Sequence, residues 1–158
     1  MADLQNMGYG KDDFQRFMEE HHVAALAVLG QDWPVMVTSV FYAVQGPMSL
    51  LIKTNTSSFH GKAMLASPRV ALSIYDDRSS YLERHGAQLR GTVERIYDPI
   101  EMEKAVQSYM RSFPGSVTQF DPIPMLISED AENTLFKIDI LAGKMMTPMG
   151  YSSDFEFF

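Results

Sequence analysis

Apolar and polar positions fall into distinct registers along this chain. Phe14, Phe17 and Met18 recur at helical spacing behind Asp12 and Asp13, either of which can cap a short amphipathic helix ending near His22. From Val23 the texture becomes a continuous apolar run, Val-Ala-Ala-Leu-Ala-Val-Leu, stopped by Gly30-Gln31-Asp32, which predicts a strand buried on both faces. The β-rich runs Val35 to Val44 and Met48 to Lys53, joined by Gln45-Gly46-Pro47, predict an antiparallel hairpin. Ser57 or Ser58 opens a second helix through Ala66, and Pro68 stops it because its ring disfavours a helical residue before it. Arg69 to Tyr75 follows as a strand. After the polar loop Asp76 to Ser80, Ala87 to Tyr97 alternates as a long strand in which Gly91 marks a bulge or a close approach.

Asp98-Pro99 supplies a cap and a first-turn proline for a third helix, whose apolar face is Ile100, Met102, Ala105, Val106, Tyr109 and Met110. Phe113-Pro114-Gly115 closes it. Ser116 to Asp130 is proline-interrupted, Leu135 to Leu141 is the last clear strand, and no element is assigned from Gly143 onward. The order is helix, three strands, helix, two strands, helix, strand, with no internal repeat and no linker. About six strands with antiparallel neighbours and no regular βαβ alternation predict a mainly β fold, a small closed or split β-barrel with short helices at its ends. The expected organisation is one domain over residues 1–158, with a flexible start at 1–11 and a tail at 142–158 that packs on the barrel or on a dimer partner.

Composition narrows the function. The chain has 158 residues, 46% of them hydrophobic and 21% charged, which excludes disorder, collagen and coiled coil. It has no cysteine, so disulfide frameworks, thiolate zinc sites and cysteine nucleophiles are excluded. A formal net charge of −7 repels a phosphate backbone and argues against a nucleic-acid partner. The start lacks the basic and apolar regions of a signal peptide, and no apolar run approaches the roughly 20 residues of a membrane span, so a cytoplasmic protein is expected.

Chemistry concentrates between Lys53 and Lys62, where a strand enters a helix through hydroxyl, amide and cationic side chains. Such a turn is either an anion pocket, with phosphate its common occupant, or a polar helix cap beside a solvated lysine. His21-His22 is read as a solvated helix end, since adjacent helical residues point about a hundred degrees apart and rarely share a metal. His85 is placed in a charged surface loop. No Gly-x-Ser-x-Gly elbow, Gly-x-Gly-x-x-Gly or Walker motif is present, and no catalytic side chain or metal ligand is assigned. Twelve methionines, three of them at Met145, Met146 and Met149, make the C-terminal tail apolar enough to expect it to pack on the barrel, at a dimer interface or as a lid over a cofactor.

Thr54-Asn55, Ser58, Lys62, Leu65 and Pro68-Arg69-Val70 fall in step with the phosphate segment of the pyridoxamine 5′-phosphate oxidase-like, FMN-binding split-barrel proteins, and Gln88 to Glu94 resembles a later strand of that family. The resemblance runs from about Phe14 to Leu141. It implies a six-stranded antiparallel split barrel, usually a homodimer, with FMN between the subunits. On that analogy Ser58, His60 and Lys62 hold the phosphate, and Thr54 and Asn55 shape the turn. Thr38, Ser39 and Val40 on a strand edge, with Gln88, address the flavin ring, and the expected activity is that of a flavin-dependent oxidoreductase acting on an unidentified small molecule. The chain departs from the family in two places. Phe59-His60 stands where the oxidase has Arg-Lys, and neither Arg nor His follows Lys144, so vitamin B6 oxidation is not expected. The competing expectation is a non-catalytic barrel that takes haem, another flavin-like ligand or no cofactor.

Overall fold

The computed structural model describes residues 11–30, 33–78, 80–148, 150–151 and 155–156. The strand-ending residues Gln31 and Asp32, nearly all of the expected flexible start at 1–11, and Met149 of the tail lie outside the described residues. The elements, in order, are α1 (Lys11–Glu20), β1 (Val23–Val28), β2 (Met36–Phe41), β3 (Ala43–Gly46), β4 (Ser49–Asn55), α2 (Phe59–Ala66), β5 (Arg69–Tyr75), β6 (Gly86–Arg95), α3 (Pro99–Ser112), α4 (Ile123–Leu126), β7 (Asn133–Thr147), β8 (Gly150–Tyr151) and β9 (Phe155–Glu156).

The strands form one antiparallel sheet whose main path runs β2-β1-β5-β6-β7-β4-β3, with β8 and β9 both pairing to β7. The seven strands on this path correct the expected count of six. The stretch Val35 to Val44, expected to be one strand, divides at Tyr42 into β2 and β3, which lie at opposite ends of the path. Only β3 forms the hairpin with β4, while β2 pairs with β1. Two edge strands separated by one residue force the sheet to curl into an open half-barrel, with helices packed around it. Tyr42 sits at the seam: its N–H donates to the His22 carbonyl at 2.9 Å and its hydroxyl to the Met18 carbonyl at 2.9 Å.

Two cores follow from this curl. The barrel interior holds Leu26, Tyr42, Leu50, Ile52, Leu72, Phe136 and Ile138, capped by Phe14 and Met18 from α1. Each large side chain buried in this way contributes about 1.5–3 kcal/mol. The second core lies outside the sheet, where Ala43, Leu51 and Leu135 meet Met102, Ala105 and Tyr109 of α3. Strands β3, β4 and β7 are therefore apolar on both faces where α3 covers them. Ile100, assigned to the helix's apolar face, is instead exposed.

β1 does not meet the expectation of burial on both faces. Ala24, Leu26 and Val28 point inward and are buried, whereas Val23 is exposed and Ala25 and Ala27 are only half-buried on the outer face. β7 also runs past its expected end at Leu141 as far as Thr147. Gly143, which marked the start of the unassigned tail, lies within the ladder. A Cβ there would stand 3.0 Å from the Gln88 carbonyl oxygen, so the glycine permits a close approach of β6 and does not end the strand. The expected irregularity at Gly91 is a register shift between Arg90 and Gly91.

Candidate functional site

The turn between β4 and α2 is built from local hydrogen bonds. Ser58 caps α2: its Oγ accepts from the Gly61 N–H at 3.0 Å and donates to the Asn55 carbonyl at 2.7 Å. The Asn55 side chain accepts from the Ser57 N–H at 2.7 Å, and the Asn55 carbonyl also accepts from the Ser58 N–H at 3.1 Å. His60 turns back onto the strand, its Nε2 sharing a hydrogen bond of 2.5 Å with Thr54 Oγ1. Burial lowers the His60 pKa and so favours the neutral ring. A Cβ on Gly61 would lie 2.2 Å from the Asn55 carbonyl oxygen, so the turn closes tightly on the helix.

Thr54, Asn55, Ser58 and His60 thus come together as the sequence suggests, while Lys62 stands exposed on α2. Phe59, in place of a cation, packs against Gly30, where a Cβ would lie 2.8 Å from its ring. In this arrangement the Ser58 hydroxyl and the Ser57 and Ser58 amides are engaged within the turn, the Phe59 and His60 amides at the start of α2 are not, and Lys62 is the one cation among the residues assigned to it.

The other assigned residues lie on the sheet. Thr38 and Val40 point toward the interior, Val40 being buried, so only Ser39 of the three presents its side chain outward. Strand register lines up Ser39, Ala25, Ser73, Gln88 and Lys144 across β2, β1, β5, β6 and β7. The adjoining row is Val37, Ala27, Ala71, Arg90 and Ala142. All members of these rows except Ser39 and Ala142 line an outer-face groove of about 520 Å³ that includes Gln88, Arg90 and Lys144. Its small central side chains suit a flat ring, and its cations and amide stand toward one end. Ser73, Arg90 and Lys144 were not singled out in the sequence. The alternation Gln88-x-Arg90 places both residues on one face, but only the register brings Lys144 beside them.

The histidine pair departs from the expected solvated helix end. Both residues follow α1, and the His21 side chain is only 11% exposed, its Nδ1 donating to the Phe17 carbonyl at 2.7 Å and its Nε2 lying 3.6 Å from Asp76 Oδ2. His22 packs edge-on against Phe113, with ring centroids 5.2 Å apart. Among the described residues no group of three or more His, Cys, Asp and Glu side chains is arranged to hold a metal. Nor is any described helix long and apolar enough to cross a membrane.

A curled antiparallel sheet with helices packed around it, entered through a serine-capped turn, defines a split-barrel fold. The chain belongs to the pyridoxamine 5′-phosphate oxidase family, whose family model matches residues 11–146. No curated protein matches the sequence at a significant level. Among solved structures, a haem-binding protein from Mycobacterium smegmatis aligns at 15% identity and a TM-score of 0.74, over 93% of this chain and 57% of its own. An FAD-binding protein from Mesorhizobium loti aligns at 15% identity and a TM-score of 0.66, over 86% and 91% of the two chains. A protein related to general stress protein 26 of B. subtilis, from Clostridium acetobutylicum, aligns at 15% identity and 0.66 over 93% and 94%. The chain spans little more than half the length of the Mycobacterium smegmatis protein and of Campylobacter jejuni ChuZ, covering 57% and 58% of them. At these identities the likeness establishes the fold.

Proposed function

We propose that this chain is a cofactor-binding split-barrel protein that holds a flat conjugated ligand of the flavin or haem type in the outer-face groove. The observation that carries this reading is the pairing of a small-residue floor, Ala25, Ala27, Ala71 and Ser73, with the polar border of Gln88, Arg90 and Lys144. A planar ring stacked on such a floor loses water from both partners, and Gln88 can hydrogen-bond the ring's edge. The solved relatives described as haem-binding and FAD-binding lend support to that ligand class. A homodimer belongs to the same proposal: Val37 at 62% and Phe41 at 61% exposure stand on the same outer side of β2 as Ser39, an apolar surface suited to a second copy.

Catalysis by a bound flavin is the second reading, favoured by Gln88 at the groove. When bound, FMN would supply the hydride chemistry, while this chain's part would be to position the ring and tune it by hydrogen bonds from Gln88 and the exposed Ser39. The plain binding role is preferred because the turn expected to hold FMN phosphate carries Phe59 in place of a cation and has Ser58 and His60 bonded within it. The test is an absorbance titration of the purified protein with FMN, FAD and haemin. Perturbed flavin bands or a Soret shift with saturable stoichiometry is the expected result, and no binding of any of the three at roughly 100 μM would overturn the proposal.

A further inference from the structure

We propose that the cavity between α1, β3 and α3 is a second binding site, which takes a free amino acid with an aliphatic side chain. It shares no lining residue with the outer-face groove, so neither site stands or falls with the other.

The cavity has a volume of about 480 Å³ and lies where the C-terminal ends of α1 and α3 flank β3. Its polar lining is Glu19 and His22 at the end of α1, Gln45 on β3, and Ser108, Arg111 and Ser112 at the end of α3. Glu19 and Arg111 carry opposite charges, yet among the described residues neither makes an ion pair with the other or with any third group. Each makes one short bond to its own helix: Glu19 accepts from Gln15 Nε2 at 2.7 Å, and Arg111 donates to Ser108 Oγ at 2.8 Å. Both therefore retain most of their hydrogen-bonding capacity. Glu19 is also placed against the local field. α1 has no basic residue in its last turn, so this carboxylate stands at the negative end of the helix dipole without a counter-charge. His22, held edge-on against Phe113, has a buried Nδ1 without a partner, a further polar group of this lining left incomplete.

These charges select by exclusion. A simple anion drawn to Arg111 meets Glu19, and a simple cation drawn to Glu19 meets Arg111. A molecule that carries a carboxylate and an ammonium satisfies both, with the carboxylate on the guanidinium and the ammonium on Glu19. The rest of the lining is Val44 and Gly46. A Cβ on Gly46 would meet nothing within 4 Å, so open space lies beside the strand there, next to the apolar Val44, for an aliphatic side chain. The charged groups are exposed and screened by water, so the affinity is that of a low-molecular-weight ligand present at high concentration.

The test compares free leucine with isocaproate, which lacks its ammonium, and with isoamylamine, which lacks its carboxylate. Each is titrated into the full chain by NMR, with the Gly46 amide as the reporter inside the cavity. Leucine is expected to bind with a Kd of about 1 mM or below, and each analogue about tenfold or more weakly. In Glu19→Gln the preference for leucine over isocaproate should collapse toward one while the preference over isoamylamine persists, and Arg111→Gln should do the reverse. Glu19→Asp keeps the charge and should keep both preferences. Both side chains are exposed, so the variants should melt with the unaltered protein, which separates lost recognition from lost folding. No binding of leucine at about 20 mM, shifts confined to the outer-face groove, preferences near one in the unaltered protein, or preferences that both Gln substitutions leave unmoved would each overturn the proposal. None of these results bears on the ligand proposed for the outer face.

Discussion

The Tyr42 hydroxyl donates to the Met18 carbonyl at 2.9 Å, joining the seam of the sheet to the last turns of α1. Met18 lies within four residues of the helix's C-terminal end, where carbonyls lack an intrahelical partner, and Tyr42 is fully buried. Tyr42→Phe keeps the ring and removes the donor, so the Met18 carbonyl loses that partner. The expected loss is about 1–2 kcal/mol of unfolding free energy, read as a lower urea midpoint at unchanged slope.

Burial also raises the Tyr42 pKa above its ordinary value of 10. A group whose folded pKa is raised contributes stability that is fully present below the unfolded pKa and is lost as pH rises above it. The protein should therefore lose stability above about pH 10, and Tyr42→Phe should flatten that part of the curve. Urea midpoints at a series of alkaline pH values would show it, and parallel curves for the two proteins would exclude Tyr42 as the cause.

His60 acts in the opposite pH range. Its pKa is lowered by burial, so the unfolded chain takes up a proton before the folded one does. Stability from this group is full above the ordinary histidine value of about 6.5 and declines as pH falls toward the folded pKa. In His60→Gln the decline between pH 7.5 and 5 should be shallower than in the unaltered protein. Thermal midpoints across that window provide the measurement.

Ser58→Ala removes the cap of α2 together with the bond to the Asn55 carbonyl. The expected cost is about 1 kcal/mol. Gly61→Ala should cost more, about 2–3 kcal/mol, because its Cβ would lie 2.2 Å from a backbone oxygen, so the turn itself must shift. Chemical denaturation would rank the two variants, and the reverse order would refute the close packing of this turn.

Arg95 holds down the segment after α3. Its guanidinium donates to the Ser128 carbonyl and, at 3.4 Å, to the Glu129 carbonyl, and lies 4.6 Å from the centre of the Tyr97 ring. Arg95→Lys keeps the charge but loses the planar fork, so the region from Ile123 to Asp130 should be cut faster by a protease under native conditions while the strands stay protected. Equal cleavage rates would remove Arg95 from this role.

Local signals in the sequence were readable where one short stretch decides the structure. Ser58 and Asp98 cap α2 and α3, and Arg69 to Tyr75 forms β5 with the expected ends. The division of Val35 to Val44 was not readable, because no glycine or proline marks it. Tyr42 and Ala43 are both fully buried, yet they enter different cores on opposite faces of the sheet, and a single strand pattern does not encode that change. The α2 turn was legible for the same reason as its cap, since its partners lie within a few residues of one another. The outer groove depends on the register of four successive ladders, which is why Gln88 was found and Lys144, its neighbour in space, was not.

The bend at Tyr42 has a consequence for the order of assembly. Because the sheet's two ends are one continuous piece of chain, β2 cannot settle on β1 and β3 on β4 without drawing those strands into the same curl. The pairing of β4 with β7 joins residues as far apart as Ser49 and Asp139, and contacts of such long range make the search slow. Opening the chain by circular permutation at Tyr42 would leave each hydrogen-bonded ladder intact while freeing the two ends from each other. The curl of this barrel is thus a property of chain connectivity, one that a severed chain with the same strand pairings would not be obliged to keep.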